Sequence, residues 1–197
     1  MFIFAVKTAT MHGIASYITT QADDDAGKLK FFFESEGSSS IVKVVEYTAI
    51  RRVGRRIVYN LGFGDYEVET GQVTDQANSN NGDMRRVFGT VLDTVPLFFA
   101  SNPRDVIVVQ GSDSDESAAL VCLATCRKKC VGRCKNIDRC IKTYRYFVDK
   151  HFAALVREYV IFGSHRTDVD DFAQYVVRED YAAILVYKKN SLSPDSP

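Results

Sequence analysis

The chain has 197 residues, 46% of them hydrophobic and 25% charged, the balance of a folded protein with a substantial core. Lys plus Arg and Asp plus Glu each number 25, so the net charge is zero and a uniformly polycationic nucleic-acid binder is excluded; any basic surface has to be local. No stretch approaches the roughly 20 apolar residues of a membrane span, and MFIFAV at the start lacks the basic region and cleavage site of a secretory signal, so a cytoplasmic protein without a membrane partner is expected.

Taken in order, residues 1–27 give a weak signal. MFIFAV reads as an edge strand or a docked tail, and Ala22–Gly27 as a polar loop. Lys28–Glu34 reads as a strand, Ser35–Ser40 as a Ser- and Gly-rich turn, and Ile41–Ala49 as a β-branched second strand. Arg51–Arg56 reads as a basic turn around Gly54, and Ile57–Phe63 as a third strand, which together predict an antiparallel meander. Gly64–Asn81 reads as a polar linker in which Val68 and Val73 add at most a short strand.

Asp83 is the expected N-cap of a helix, its carboxylate accepting from the first-turn amides. Val87, Phe88, Val91, Leu92, Val95, Phe98 and Phe99 follow at three- and four-residue steps and give that helix one apolar face. Pro96 is expected to kink it or split off its last turn. Asp105–Gln110 is apolar on both faces and predicts a central strand. A long helix is expected within Ile137–Tyr159, with the stripe Ile141, Tyr144, Val148, Phe152, Leu155 and Tyr159. Val160–Gly163 and Tyr181–Lys188 read as strands, separated by a charged, irregular or weakly helical connection over His165–Asp180.

The order from Lys28 is β-β-β-α-β-α-β-β. It predicts an α+β fold with a mostly antiparallel mixed sheet and two main helices. One domain over residues 1–190 is expected, with a disordered polar tail over 191–197.

The chemically distinctive stretch is Cys122–Cys140, which holds all five cysteines. Cys122, Cys126, Cys130 and Cys134 recur every fourth residue, with Cys140 beyond them. On one continuous helix the first four would span about 18 Å, too far to surround a single zinc, whose bonds to sulfur are about 2.3 Å. A fold-back at Gly132 would bring two pairs together. Three readings stay open: a zinc or disulfide clip, buried thiols, or a redox cysteine. Arg127, Lys128, Lys129, Arg133 and Lys135 lie between the cysteines. They would offset the charge of a thiolate site, contact nucleic-acid phosphates or dock a protein partner, and they also suit a plain solvated helix face.

Several blocks resemble a family of small, uncharacterised bacterial proteins known only as a domain of unknown function. These are SEG with IVKVVEY (Ser35–Gly37, Ile41–Tyr47), YNLGFGD (Tyr59–Asp65), SNNGD with the helix after it (from Ser79), and VVQGS followed by RCIKTYRYFVDKHF (Val108–Ser112, Arg139–Phe152). In that family the GS turn leads almost directly into an Arg-rich, Tyr-containing helix. The resemblance therefore implies that about 113–138 is a Cys-rich helical insertion.

The order of elements is also similar to the core of the GNAT acyltransferases. That likeness implies an acyl-coenzyme A pyrophosphate at Asn80, Asn81, Gly82 and Asp83, and Tyr144 as the acid that protonates the leaving thiolate. Arg139 is expected independently as a ligand contact and as a cation that stabilises nearby thiolates. The Gly-rich phosphate loop of those enzymes is reduced here to Gly82, and no Glu or His is marked out as the base. The expected function is a ligand- or partner-binding domain carrying a metal- or disulfide-stabilised basic module. The alternatives are a divergent acyl-coenzyme A transferase and a nucleic-acid-binding module.

Overall fold

Alternating side chains in KLKFFFE and IVKVVEY become the centre of an antiparallel sheet in the computed structural model, which describes residues 4–6, 15–23, 28–74, 81–111, 138–166 and 171–189. β1 (Phe4–Val6) and β2 (Thr19–Asp23) precede β3 (Leu29–Ser35). β3 pairs with β4 (Ile41–Val53) from Leu29↔Tyr47 to Ser35↔Ile41. β4 in turn pairs with β5 (Arg56–Glu67) from Lys43↔Asp65 to Val53↔Arg56. Directly paired residues share a face, so Phe31, Phe33, Val45, Tyr47 and Leu61 line one side together, and all are buried. β2 pairs with β3, β1 with β2, and β6 (Gln72–Thr74) with β5, all antiparallel. Phe4–Val6 thus supply the expected edge strand, and Ala22 and Asp23 lie in β2 rather than in a loop.

The meander is longer than its turn residues suggest. Arg51 and Arg52 belong to β4 and Arg56 to β5, leaving Gly54 and Arg55 as a two-residue loop. Gly54 has φ of 59°, at the first central position where a type II′ turn requires glycine. The linker expected from Gly64 begins only after Glu67. Gly64 to Glu67 continue β5 because the register carries Lys43 opposite Asp65, and because Gly64 has no Cβ. A Cβ there would lie 2.7 Å from the Thr74 carbonyl oxygen and from the Val73 side chain of β6. Val73 does form a short strand, while Val68 is exposed outside it.

α1 (Met84–Ser101) lays Val87, Phe88, Val91, Phe98 and Phe99 against the buried face of the sheet. Phe98 stacks on Tyr47 with centroids 4.5 Å apart, Phe88 meets Phe63 at 5.8 Å, and the Tyr47 hydroxyl is 2.8 Å from Thr94 Oγ1. Buried aromatic pairs of this kind contribute about 0.5–1.5 kcal/mol each beyond their area. The helix runs unbroken through Pro96. Its buried side also holds Thr90, Asp93 and Thr94, which apolar periodicity does not mark.

The described residues fall into two compact units, one within Met1–Ile107 and one within Val108–Lys189, and the division passes through β7 (Val106–Gln110). Val106, Ile107, Val108 and Val109 are buried, as expected of a strand apolar on both faces. In the second unit α2 (Arg139–Glu158) buries Ile141, Phe147, Val148 and Leu155, so Phe147 rather than Tyr144 completes its stripe. β8 (Tyr159–Ser164) pairs antiparallel with β10 (Ala183–Lys188). The connection expected to be irregular or weakly helical contains β9 (Ala173–Gln174), which pairs with β8. The α+β class, the mostly antiparallel mixed sheet and the two helices agree with the expectation. The proposed Cys-rich insertion, 113–138, lies outside the described residues except for Asp138, and so does the tail 191–197.

Candidate functional site

In the first unit, the turn after β3 and the residues before α1 meet in a polar junction. Asp83 occupies the N-cap position, but its side chain makes no capping bond. Its φ of −96° and ψ of 15° lie outside the extended region that aims an N-cap side chain at the first-turn amides. The carboxylate instead accepts from two buried hydroxyls, Tyr17 at 2.8 Å and Ser35 at 2.7 Å, both on Oδ2. The Glu36 backbone N–H donates to the Tyr17 oxygen at 3.3 Å.

Asn81 clasps the SEGSSS turn. Its Nδ2 donates to Ser35 Oγ at 3.1 Å and to the Ser39 carbonyl at 2.9 Å, while its Oδ1 accepts from Ser38 Oγ and the Ser39 N–H. Gly37 is part of this fit: a Cβ there would sit 2.5 Å from the Asn81 carboxamide. Gly82, at φ 69°, supplies the left-handed step between Asn81 and Asp83.

A second charged pair lies beside the junction. Lys43 and Asp65 are opposite each other on β4 and β5, both nearly buried, and joined by a direct ion pair. The Lys43 ammonium lies 5.7 Å from the centre of the Phe63 ring. Phe33, directly across from Lys43 on β3, stacks between Tyr17 and Phe63. Above Tyr17, the exposed Arg86 guanidinium lies 3.7 Å from the ring centre, a close cation–π contact. The Tyr17 backbone N–H also donates to Thr90 Oγ1 at 2.8 Å, which fixes the phenol against α1.

These contacts set the ionisation of the junction. Burial pushes the Asp83 carboxyl up, but the Ser35 and Tyr17 hydrogen bonds and the Lys43 charge outweigh it and hold it below the usual range. Burial and the donated bond to Asp83 push the Tyr17 phenol up. At neutral pH the junction therefore holds an Asp83 carboxylate against a neutral Tyr17, with the Lys43–Asp65 pair beside them and Arg86 over the Tyr17 ring.

Of the residues expected in the site, Asn81, Gly82 and Asp83 stand at this junction, and Asn80 lies outside the described residues. Arg139 is exposed at the first position of α2, where its carbonyl accepts from Thr143 Oγ1, and Tyr144 is half-buried on the same helix. Both belong to the second unit. Cys140 is half-buried there. Cys122, Cys126, Cys130, Cys134, Arg127, Lys128, Lys129, Arg133 and Lys135 all lie outside the described residues. Among the described residues no three His, Cys, Asp or Glu side chains are grouped to hold a metal ion, and no helix is long and apolar enough to cross a membrane.

The sequence reading did not single out Tyr17, Lys43 or Arg86. Lys43 left a signal: in IVKVVEY it shares a strand face with Val45 and Tyr47, and a lysine on an apolar face marks a buried charge that needs a partner. Tyr17 left none, because nothing local links it to Asp83. In the second unit the unmarked constellation is Asp149, which accepts from the Tyr175 hydroxyl at 2.8 Å and the Arg178 N–H at 3.2 Å.

Ser35, Gly37, Lys43, Asp65, Asn81, Gly82 and Asp83 fall in the blocks SEG, KVVEY, GFGD and NNGD, and with Tyr17 and Arg86 they lie within the stretch that matches a known family. Residues 15–118 match the Family of unknown function (DUF6934), and the chain belongs to that family. No curated protein matches the chain, and no solved structure does. The GNAT likeness accordingly rests on the order of elements alone. The block RCIKTYRYFVDKHF lies beyond the matched stretch.

Proposed function

We propose that this chain is a ligand-binding domain, and that its ligand is a small polar molecule with an anionic group seated at the junction of the β3–β4 turn and the start of α1. The carrying observation is Arg86. It is an exposed cation held in one place over Tyr17, whose oxygen meets the Asp83 carboxylate and the Glu36 N–H in the junction. A guanidinium fixed in this way loses little freedom on meeting a carboxylate or phosphate. Asp83 does not repel such a ligand strongly, because two internal hydroxyl donors and Lys43 already compensate its charge.

A thermal-shift panel of small anions, sugar phosphates and acetyl-coenzyme A tests the reading on the full chain. At a ligand concentration of 100 times Kd a specific binder stabilises by about 2.7 kcal/mol, a rise of several degrees. Arg86→Ala should abolish that rise while leaving the unliganded melting point nearly unchanged. A panel without any shift, or a shift that survives Arg86→Ala, would overturn the proposal. A shift with acetyl-coenzyme A but not with simpler phosphates would favour the acyltransferase reading.

The Cys122–Cys140 segment completes the reading as a zinc- or disulfide-stabilised basic module. What supports it is the sequence: five cysteines within one short stretch, with cations between them to stabilise thiolates. Elemental analysis of protein purified under reducing conditions should find about one zinc per chain, the stoichiometry of a four-thiolate site. Folded, metal-free protein with five titratable thiols would remove the module.

A further inference from the structure

The β4–β5 hairpin ends in a charge cluster that the junction does not use. Its tip reads IRRVGRRI, and the eighteen residues from Tyr47 to Gly64 contain Arg51, Arg52, Arg55 and Arg56 with no carboxylate. In a chain of zero net charge this is a concentrated local patch.

Geometry gives the patch a shape. β3 stops pairing with β4 at Leu29↔Tyr47, whereas β4 and β5 stay paired out to Val53↔Arg56. The β4 edge of the hairpin therefore runs beyond β3. A register shift between Ala49 and Arg51 turns the strand at Ile50. After it, Arg51 pairs with Val58 and Val53 with Arg56, which puts Arg51 and Arg56 on one face of the ribbon. Arg52 pairs with Ile57 on the opposite face, and Arg55 sits in the turn. Arg52, Val53, Gly54 and Arg55 are exposed, and so is Ile50 at 48%. The ribbon's base is anchored, since the Ile57 N–H donates to Asp105 Oδ1 at 2.8 Å; Arg104 precedes that aspartate and is exposed.

We infer that this hairpin tip is a nucleic-acid-binding element that enters a groove of a double helix. A flat anionic surface, such as a lipid headgroup layer, meets only one face of a ribbon. A groove has a phosphate wall on each side, and the exposed Arg52 on one face, the exposed Arg55 at the turn and the half-buried Arg51 and Arg56 on the other face match two walls. A two-stranded ribbon also fits the major groove, which is about 12 Å wide. The cations are all arginine, whose planar fork suits bidentate contact with phosphate or a guanine edge. The exposed Ile50 and Val53 side chains add apolar contacts of the kind made with thymine methyl groups. This surface is separate from the ligand junction.

The test is fluorescence anisotropy of a short labelled DNA duplex with the full chain, repeated with the double variant Arg52→Glu/Arg55→Glu. Both residues are exposed, so the fold should persist, and matching circular dichroism and melting curves will establish that. The wild type should bind, and its affinity should fall steeply between about 50 mM and 200 mM salt. The double variant should bind at least about tenfold more weakly, with a log–log salt slope shallower by about 2. No binding at low salt, equal binding by the folded variant, or binding to phosphatidylserine vesicles without binding to duplex would each overturn the inference.

Discussion

The Tyr17 hydroxyl donates to the Asp83 carboxylate at 2.8 Å and so ties the segment before β2 to the residue that opens α1. Ser35 shares the same oxygen, so one carboxylate joins three separate parts of the chain. Hydrogen bonds to a charged acceptor contribute about 1.5–3 kcal/mol, and Ser35 and Tyr17 are both buried and would be left without this acceptor. The junction is therefore a structural clamp as well as the floor of the proposed site.

That relationship fixes a pH dependence. The folded Asp83 carboxyl ionises below its usual range, so the unfolded chain binds the proton more readily. The associated stability is fully present above the unfolded value of about 3.9, and it is lost as the pH falls through the folded value. Asp83→Asn should lower stability at neutral pH by about 1–3 kcal/mol. It should also flatten the loss of stability on acidification, as measured by urea midpoints at a series of pH values. Parallel pH profiles for wild type and variant would show that Asp83 does not carry the linkage.

Lys43 and Asp65 give a different prediction, because both charges are almost out of water. Removing one partner leaves the other buried and uncompensated, which costs about 3–5 kcal/mol. Asp65→Ala or Lys43→Met alone should each show a loss of that size in chemical denaturation. The double change Lys43→Met/Asp65→Leu replaces the pair with apolar volume and should recover most of it. If the double variant is as unstable as the sum of the singles, the two residues act independently.

The strands and helices were legible because their signals are local. Alternation set β3 and β4, and three- and four-residue spacing set α1 and α2. The short strands β6 and β9 were not legible in the same way, because three and two residues cannot show a period. The site was half legible. Asn81, Gly82 and Asp83 stood out as turn and cap chemistry, yet the expected cap bond does not form. Its replacement comes from Tyr17 and Ser35, which are distant in sequence. Only the register that brings Lys43 opposite Asp65 and Phe33 of β3 opposite Lys43, together with the bonds of Tyr17 and Ser35 to Asp83, reveals that separate stretches build one junction.

Gly37 and Asn81 form the tightest fit in that junction. A Cβ at Gly37 would approach the Asn81 side chain to 2.5 Å, closer than real contacts allow. In Gly37→Ala the carboxamide has to swing away and give up its bonds to Ser35 and Ser39. A loss of about 1–2 kcal/mol is expected, from bonds worth roughly 1 kcal/mol each. On an Asn81→Ala background the same glycine change should be nearly silent. The coupling from a double-mutant cycle should therefore fall in the range of about 0.5–3 kcal/mol. Additive effects would mean that Gly37 is required for its backbone alone.

In the second unit the alkaline limb is the informative one. Tyr159 is buried at the start of β8, and burial together with the Glu158 charge pushes its phenol up to about 12. Tyr175 is pushed up further still, by burial first and then by the hydrogen bond it donates to Asp149. A phenol whose folded value is raised contributes stability that is fully present below the unfolded value of about 10. That stability is lost as the pH rises from there through the folded value. In an absorbance titration the chain's ten tyrosines should therefore not ionise together. A late step should coincide with the loss of circular dichroism. Tyr159→Phe removes one linked proton and should make stability fall less steeply above pH 10. Tyr175→Phe should do the same, and should also lower stability at neutral pH by about 1.5–3 kcal/mol through the lost bond to a carboxylate. If all ten phenols ionise near 10 with the structure intact, the second unit does not hold Tyr159 and Tyr175 away from water.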